Sequence, residues 1–470
     1  MRIISGLFDN GVLQRSRHNQ SDARIHAEVA DRGELRVRVT RRGQTVPGFH
    51  DRKLAEVRAD EHDFRLAGLP VGGPYRVELS VRPGDRLIVD NLLIGDVWLA
   101  GGQSNMQGMG RMEYAAKPVP LVRAFYMNDR WDVARDPIHN LSDCLDQVHA
   151  DLAGGGRPLL NLHIGVGPAV AFAQEMWRRT GVPQGVIACA HGGTSMDQWA
   201  PAKKSDGSKS LYGVMLRRFE KNGGRCAGLI WYQGEHEAVR PALVRGYTGK
   251  MIQFVHSLRR DTGQPDLPVT MVQLGRVVGR NESAAGWNSV QDQQRLLPAQ
   301  IPRLAVVPAN DLHLEDSIHI GGPDNNRLGR RLAQGMCAVT GQGRRAEEWP
   351  IALRAVGQRT DLVSGMVDII VGFDHVVGRL VAAGRPSGFA VGDGLYDIEL
   401  KGSRAILKTI YPANLVTAMQ VSYGHGTDPD CNITDEADRA LPAFGPITVV
   451  TSGSCRRAAA GQNPVRPAGA

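Results

Sequence analysis

No run in the 470-residue sequence comes near the ~18 consecutive apolar residues of a membrane-spanning helix, so no membrane partner is expected. No secretory leader is expected in "MRIISGLFDNGVLQR" either, because Asp9 and Asn10 break the apolar residues too early. The expectation is a soluble chain with no visible signal peptide, cytoplasmic or else secreted or periplasmic after loss of a leader. Cysteine is scarce. The six residues, at 144, 189, 226, 337, 431 and 455, form no CxxC pair, which argues against structural zinc and against a disulfide framework. Cys189 and Cys226 sit in apolar, strand-like stretches and are expected as buried thiols. The net charge of +8 has no focus, being scattered over pairs in "RRGQ", "RRT", "LRR", "GRR" and "CRR". Without a basic block interleaved with aromatics, it speaks for solubility and against a nucleic-acid partner. No internal repeat is present.

What is there divides by patterning, and the length calls for more than one core. Residues 1–90 alternate: Leu35, Val37 and Val39 face one way, Arg36 and Arg38 the other, and Tyr75, Val77, Leu79 and Val81 repeat the pattern. Period-two alternation between turn signals predicts a β-rich N-terminal domain. From 91 to 345, short apolar runs (Val97–Ala100, Val186–Ala190, Leu229–Tyr232, Val269–Leu274, Leu304–Val307) alternate with helical periodicity, as in Tyr247, Met251, Phe254, Val255 and Leu258, and in Leu328, Leu332, Ala333 and Met336. That combination predicts a parallel sheet covered by helices, an α/β catalytic domain. Alternation returns over 346–453, in "VDIIVGF" and in Met419, Val421 and Tyr423, as a second β-rich domain. The small, polar residues 454–470 are expected to be a disordered tail.

In open α/β sheets, ligands bind beyond the carboxyl ends of the strands. Four of the runs lead into polar, glycine-rich segments: "GGQSN", "HGGTSMDQW", "QGEHEA" and "PANDLHLEDSIH". Their shared placement suggests one site. Ser104 is a candidate nucleophile, but a serine hydroxyl needs a base to take its proton, commonly a histidine oriented by a carboxylate. Asp316-Ser-Ile-His319 supplies both groups. Asp136-Pro-Ile-His139 and Asp146-Gln-Val-His149 share the spacing, yet only the 316–319 pair follows a clear strand and precedes a helix. Acyl transfer further needs donors for an oxyanion. The backbone N–H groups of Ser104 and Gly193 fit, together with a side-chain amide from Gln233 or Asn105, and Gly192-Gly193 permits close backbone approach.

"GDVWLAGGQSNMQG", "GVIACAHGGTSMDQW", "GLIWYQGEHEA" and "LEDSIH" resemble the four blocks of the sialate O-acetylesterases, a carbohydrate acetylesterase branch of the SGNH hydrolase superfamily. "LFDNGVLQR" and "VSYGHGTDPDCNITDEADRALPAFGP" resemble that family's opening strand and closing segment. The resemblance implies a flavodoxin-like three-layer α/β/α SGNH hydrolase domain with flanking β-rich domains. It implies a serine esterase that removes O-acetyl groups from a carbohydrate, most directly sialic acid, through an acetyl-enzyme and without metal or organic cofactor. Ser104 becomes the nucleophile, His319 the base, Asp316 its orienting partner and Gly193 the oxyanion glycine, while Gln233 and Glu235 match the block that stands where other members keep an asparagine. Three positions depart from the pattern: His191 and His236 stand where smaller or uncharged residues are expected, and Ile320 where proline is expected.

Gln103, Glu235, His236, His191 and Trp199 are the candidate substrate contacts, with Trp199 able to stack on a sugar face and Trp231 a core residue. Asp197, beyond the glycine pair, is a further possible hydroxyl contact. Glu235-His236-Glu237 is not expected to bind metal, because adjacent residues of an extended segment point to opposite sides. His313 is expected as a loop residue, and Arg327, Arg330 and Arg331 as a solvated helix face. An acetylxylan or other polysaccharide esterase, a lipid esterase and a non-catalytic carbohydrate-binding protein are the alternatives. The sequence leaves the oligomeric state open.

Overall fold

The computed structural model describes residues 1–82, 84–152, 164–342, 349–412 and 419–449; the expected tail at 454–470 lies outside the described residues. The chain forms two compact units. The first comprises Met1–Trp231, His256–Leu267 and Gly321–Ala333, and the second Tyr232–Val255, Pro268–Ile320 and Gln334 onward.

In the first unit, the alternating N-terminal segments are antiparallel strands. Gly33–Arg41 lies between Arg52–Val57 and Gly72–Arg82, while Gln20–Val29 pairs with Arg2–Ser5 and Asp60–Pro70. Leu35, Val37, Val39, Val77 and Leu79 are all 1% exposed or less, so the period-two pattern does mark the buried face. The strand Arg86–Gly102 runs through the change of pattern near residue 90. Its first half is antiparallel to Gly72–Arg82, and its second half is parallel to Gln184–Ala188, with Asp96 to Ala100 in register with Gln184 to Ala188. Val122–Phe125 extends the parallel pairing beside Gln184–Ala188. This one long strand places the "GGQSN" turn at its carboxyl end. The helix Pro168–Thr180 opens with proline at its first turn and stops at Gly181, in the left-handed region at φ 70°. Leu211–Lys221 is capped by Ser210, whose hydroxyl accepts the Gly213 N–H.

In the second unit, Val269–Gln273 and Leu304–Pro308 form a parallel pair, buried along their whole length. Continuous apolar runs rather than alternation are what such doubly covered strands require. Ala352–Thr360, Met366–Asp374, Arg404–Pro412 and Leu395–Lys401 make a four-stranded antiparallel sheet in that order. Phe389–Ala390, Gln420–Tyr423 and Phe444–Thr448 make a three-stranded one. Val367, Ile369, Val371 and Phe373 join Val421, Tyr423 and Phe444 in their common core. Gln273 ties the parallel pair to this β region: its amide donates to Ala443 O and accepts the Ala443 N–H. Among the described residues, no helix is long and apolar enough to cross a membrane.

Candidate active site

After Gly102, the chain turns into a single helical turn, Ser104–Gln107, held by the Gln103 carbonyl, which accepts the N–H groups of Met106 and Gln107 at 2.9 Å each. Gln103, Ser104, Asn105 and Gln107 are all buried, with Ser104 the least so at 8%. The glycine pair lies against this turn. A Cβ on Gly192 would meet Ser104 Cβ at 3.4 Å and Gln107 Oε1 at 3.1 Å, so a side chain there would push on the serine. The Gly192 N–H donates to Gln107 Oε1 at 2.7 Å, and Gly193 is left-handed at φ 69° and exposed. Gln107 is therefore a residue that the sequence reading passed over. It locks the serine turn to the glycine pair, and the signal for it was its place three residues after Ser104, on the same side of a helical turn.

His191 precedes the glycines and is anchored at three points. Its N–H donates to Gly102 O at 3.1 Å, its carbonyl accepts Thr194 Oγ1 at 2.8 Å, and its Nδ1 lies 2.8 Å from Nδ1 of His149. The two rings stack with centroids 5.1 Å apart. Burial pushes His191 down to about 4; His149 is lowered as well, by burial first and then by the charge His191 would carry. Trp199 has no exposed surface. Its ring packs edge-on against Trp231 at 5.1 Å and its indole N–H donates to Thr194 Oγ1 at 3.0 Å. The structure thus corrects the stacking expectation: no face of Trp199 is open to a sugar, and the ring supports the loop from beneath.

In the second unit, Asp316 and His319 form a hydrogen-bonded pair. Asp316 Oδ2 lies 2.6 Å from His319 Nδ1, and Oδ1 accepts the N–H groups of Ile318 and His319 at 2.8 and 2.7 Å. Partial burial alone would raise the Asp316 carboxyl, but these bonds outweigh it and hold it below the usual range. The Glu315 N–H donates to His319 O, Leu314 bridges Ile320, and the Val278 N–H donates to Ser317 O at 2.7 Å. Ile320, where proline was expected, is buried and completes that bridge.

The other two pairs of equal spacing are used differently. Asp146 is taken by the Arg217 guanidinium at 2.6 and 2.8 Å, so His149 turns to His191. Asp136 is buried, its Oδ1 accepting the Gly167 N–H at 3.4 Å; burial raises it to about 7 and lowers His139 to about 4. Of the three, only 316–319 places the carboxylate on its own imidazole.

Gln233 is fully buried. Its Nε2 donates to Glu237, and its carbonyl accepts Tyr247 Oη and Gln294 Nε2, both at 3.0 Å. Glu235 is 2% exposed, while His236 is half-buried against the Arg240 guanidinium. Residues 235–238 form a helical turn rather than the extended segment expected. Among the described residues, no group of three His, Cys, Asp or Glu side chains is arranged to hold a metal ion. His313 and Asp197 are exposed. Arg330 is exposed as expected for a solvated face, but Arg331 is buried at 3%, because the helix Gly322–Thr340 turns it inward beside Leu328 and Leu332. The structure thus gathers Gln103, Ser104, Asn105, His191 and Gly193 within the first unit, and Gln233, Glu235, His236, Asp316 and His319 within the second.

Residues 94–338 match the model of the family described as carbohydrate esterase, sialic acid-specific acetylesterase. A probable carbohydrate esterase of Arabidopsis thaliana is 26% identical over 280 residues, 54% of this chain and 96% of the plant protein. The human sialate O-acetylesterase is 25% identical over 309 residues, 57% of this chain; the matched region spans 58% of the human protein's length. A crystal structure of a carbohydrate acetylesterase from Xanthomonas citri superposes with a TM-score of 0.67 at 21% identity, covering 94% of this chain and 99% of that one, a likeness of fold.

Proposed function

The chain belongs to the sialic acid-specific acetylesterase family of carbohydrate esterases and is thereby a carboxylic ester hydrolase; we propose that it removes O-acetyl groups from a carbohydrate, in the first instance a sialic acid. In this reading, the parallel strands and their helices form a three-layer α/β/α SGNH hydrolase domain over about 91–345, flanked by β-rich domains at 1–90 and 346–453. Ser104 attacks the acetyl carbonyl while His319 Nε2 takes its proton and Asp316 keeps the other ring nitrogen protonated. The oxyanion is met by the N–H groups of Ser104 and Gly193 and by one side-chain amide. That amide is Gln233 or Asn105, both of them buried. His319 then protonates the departing sugar oxygen, and water, deprotonated by the same imidazole, releases acetate from Ser104. Gln103, His191, Glu235 and His236 contact the sugar.

The observation that carries this reading is the 2.6 Å bond between Asp316 and His319, the one Asp-x-x-His of three in which the carboxylate meets its own imidazole. The test is acetate release from O-acetylated sialic acids, acetylated xylo-oligosaccharides and acetylated hexoses, with wild type and Ser104→Ala. The reading expects the highest kcat/KM on a sialic acid and loss of nearly all activity in the variant. A preference for xylo-oligosaccharides would overturn the sialic acid assignment, and a Ser104→Ala enzyme with more than a tenth of wild-type activity would overturn the mechanism.

A further inference from the structure

We propose that His149 is a positioning residue that fixes the tautomer of His191, so that His191 Nε2–H is presented beside the Ser104 turn as a hydrogen-bond donor for a substrate hydroxyl or carbonyl oxygen. This deepens the esterase reading and rests on it. The two Nδ1 atoms lie 2.8 Å apart. At that distance one nitrogen must carry a proton and the other must be bare, since two N–H groups or two lone pairs facing each other repel. The pair therefore holds a single proton between its Nδ1 atoms, and burial, which disfavours the charged form of each, keeps both rings neutral.

The surroundings decide which ring carries that proton. His149 has no exposed surface, and its Nε2 is buried without a hydrogen-bond partner. Were His149 the acceptor, its own proton would sit on that nitrogen as a buried donor facing no acceptor, the rarer and costlier kind of unpaired polar group. The Arg218 and Arg217 guanidiniums add positive charge to the surroundings of His149, which with its burial keeps the ring neutral. His149 is then the Nδ1–H tautomer and the donor, while His191 accepts at Nδ1 and carries its proton on Nε2. Of the two residues, His191 keeps exposed surface, 4% against 0%. Its next neighbour, Gly192, is packed against Ser104. A histidine that departs from the family pattern thus acquires a definite role, as a donor whose orientation is set from behind.

Nitrogen-15 NMR of the imidazole rings at pH 7, assigned with His149→Asn and His191→Asn variants, reads the tautomers directly. The expected result is Nδ1–H for His149 and Nε2–H for His191; the reverse assignment overturns the inference. A kinetic arm uses the acetylated sugar that the enzyme turns over best. His149→Asn, whose side-chain N–H can replace Nδ1–H, should stay within about threefold of wild type in kcat/KM, and His149→Leu should fall about tenfold, mostly in KM. Equal losses in the two variants, or none in either, overturn the inference. Because the NMR readout needs no turnover, it separates this inference from the esterase reading, which falls instead on an active Ser104→Ala enzyme.

Discussion

Asp316→Asn separates an orienting carboxylate from a merely structural one. In the structure, Oδ1 accepts two backbone N–H groups, those of Ile318 and His319, while Oδ2 alone faces His319 Nδ1. An asparagine carbonyl can keep both backbone bonds, so the loop keeps its shape. Its NH2 group then opposes Nδ1, and the imidazole relieves the clash by moving its proton to Nε2, the nitrogen that must be bare to receive the serine proton. A buried triad loses about 10⁴-fold in kcat from this substitution. Asp316 is 55% exposed, so water screens the pair and can stand between the groups. The expected loss is therefore smaller, about 10²–10³-fold, or ~2.7–4 kcal/mol on the barrier. The assay is kcat/KM on p-nitrophenyl acetate between pH 6 and 9, a range in which the lowered Asp316 carboxyl stays ionised. Thermal melting should show little change. A variant within threefold of wild type would refute the argument that Asp316 sets the tautomer.

Arg218 has no exposed surface and donates to Ala188 O, Phe125 O, Tyr126 O and Asp129, while its guanidinium stacks on Phe125 at 4.6 Å. Arg218→Met strands three carbonyls and should cost about 3–5 kcal/mol in urea unfolding. A loss under 1 kcal/mol would contradict that. The buried histidines make stability fall with acidity. Unfolded, His139 and His191 take up protons near 6.5, but folded only near 4, so the unfolded chain binds more protons in that window and stability drops as pH falls from 6.5 to 4. Each contributes at most about 3 kcal/mol. Asp136 works the other way: raised to about 7, it stays protonated in the fold while the unfolded chain ionises, which costs stability as pH rises from 4 to 7. Asp136→Asn should therefore stabilise the protein at pH 8 and have little effect near pH 4, as read by melting temperature; an equal effect at both would refute the assignment.

Much of the frame was legible in the sequence. The runs at 97, 186, 229, 269 and 304 all begin on strands, those at 186 and 269 passing the strand ends by two residues and one, and the spaced apolar residues of 247–258 and 328–336 are buried on helices. Strong periodicity survives because burial enforces it. The Asp316–His319 pair was readable as a candidate but not as a bonded pair, because its rivals are disqualified by distant partners: Arg217 for Asp146, and the Gly167 backbone for Asp136. Trp199 and Arg331 were misjudged for the same reason, since residue type and spacing do not say what covers a side chain. Gln107 escaped notice, and His149 was weighed only as a member of a rival pair, because their significance lies in partners 85 and 42 residues away. The turn at 235–238 is too short for periodicity to distinguish helix from strand.

The measurement that bears most directly on the account is the identity of the residue that carries the acyl group. The enzyme would be inactivated with a fluorophosphonate and digested, and the adduct located by mass spectrometry. The account expects one label per chain, on Ser104, accumulating in step with the loss of esterase activity. A label on another residue, or full activity with Ser104 modified, would contradict it.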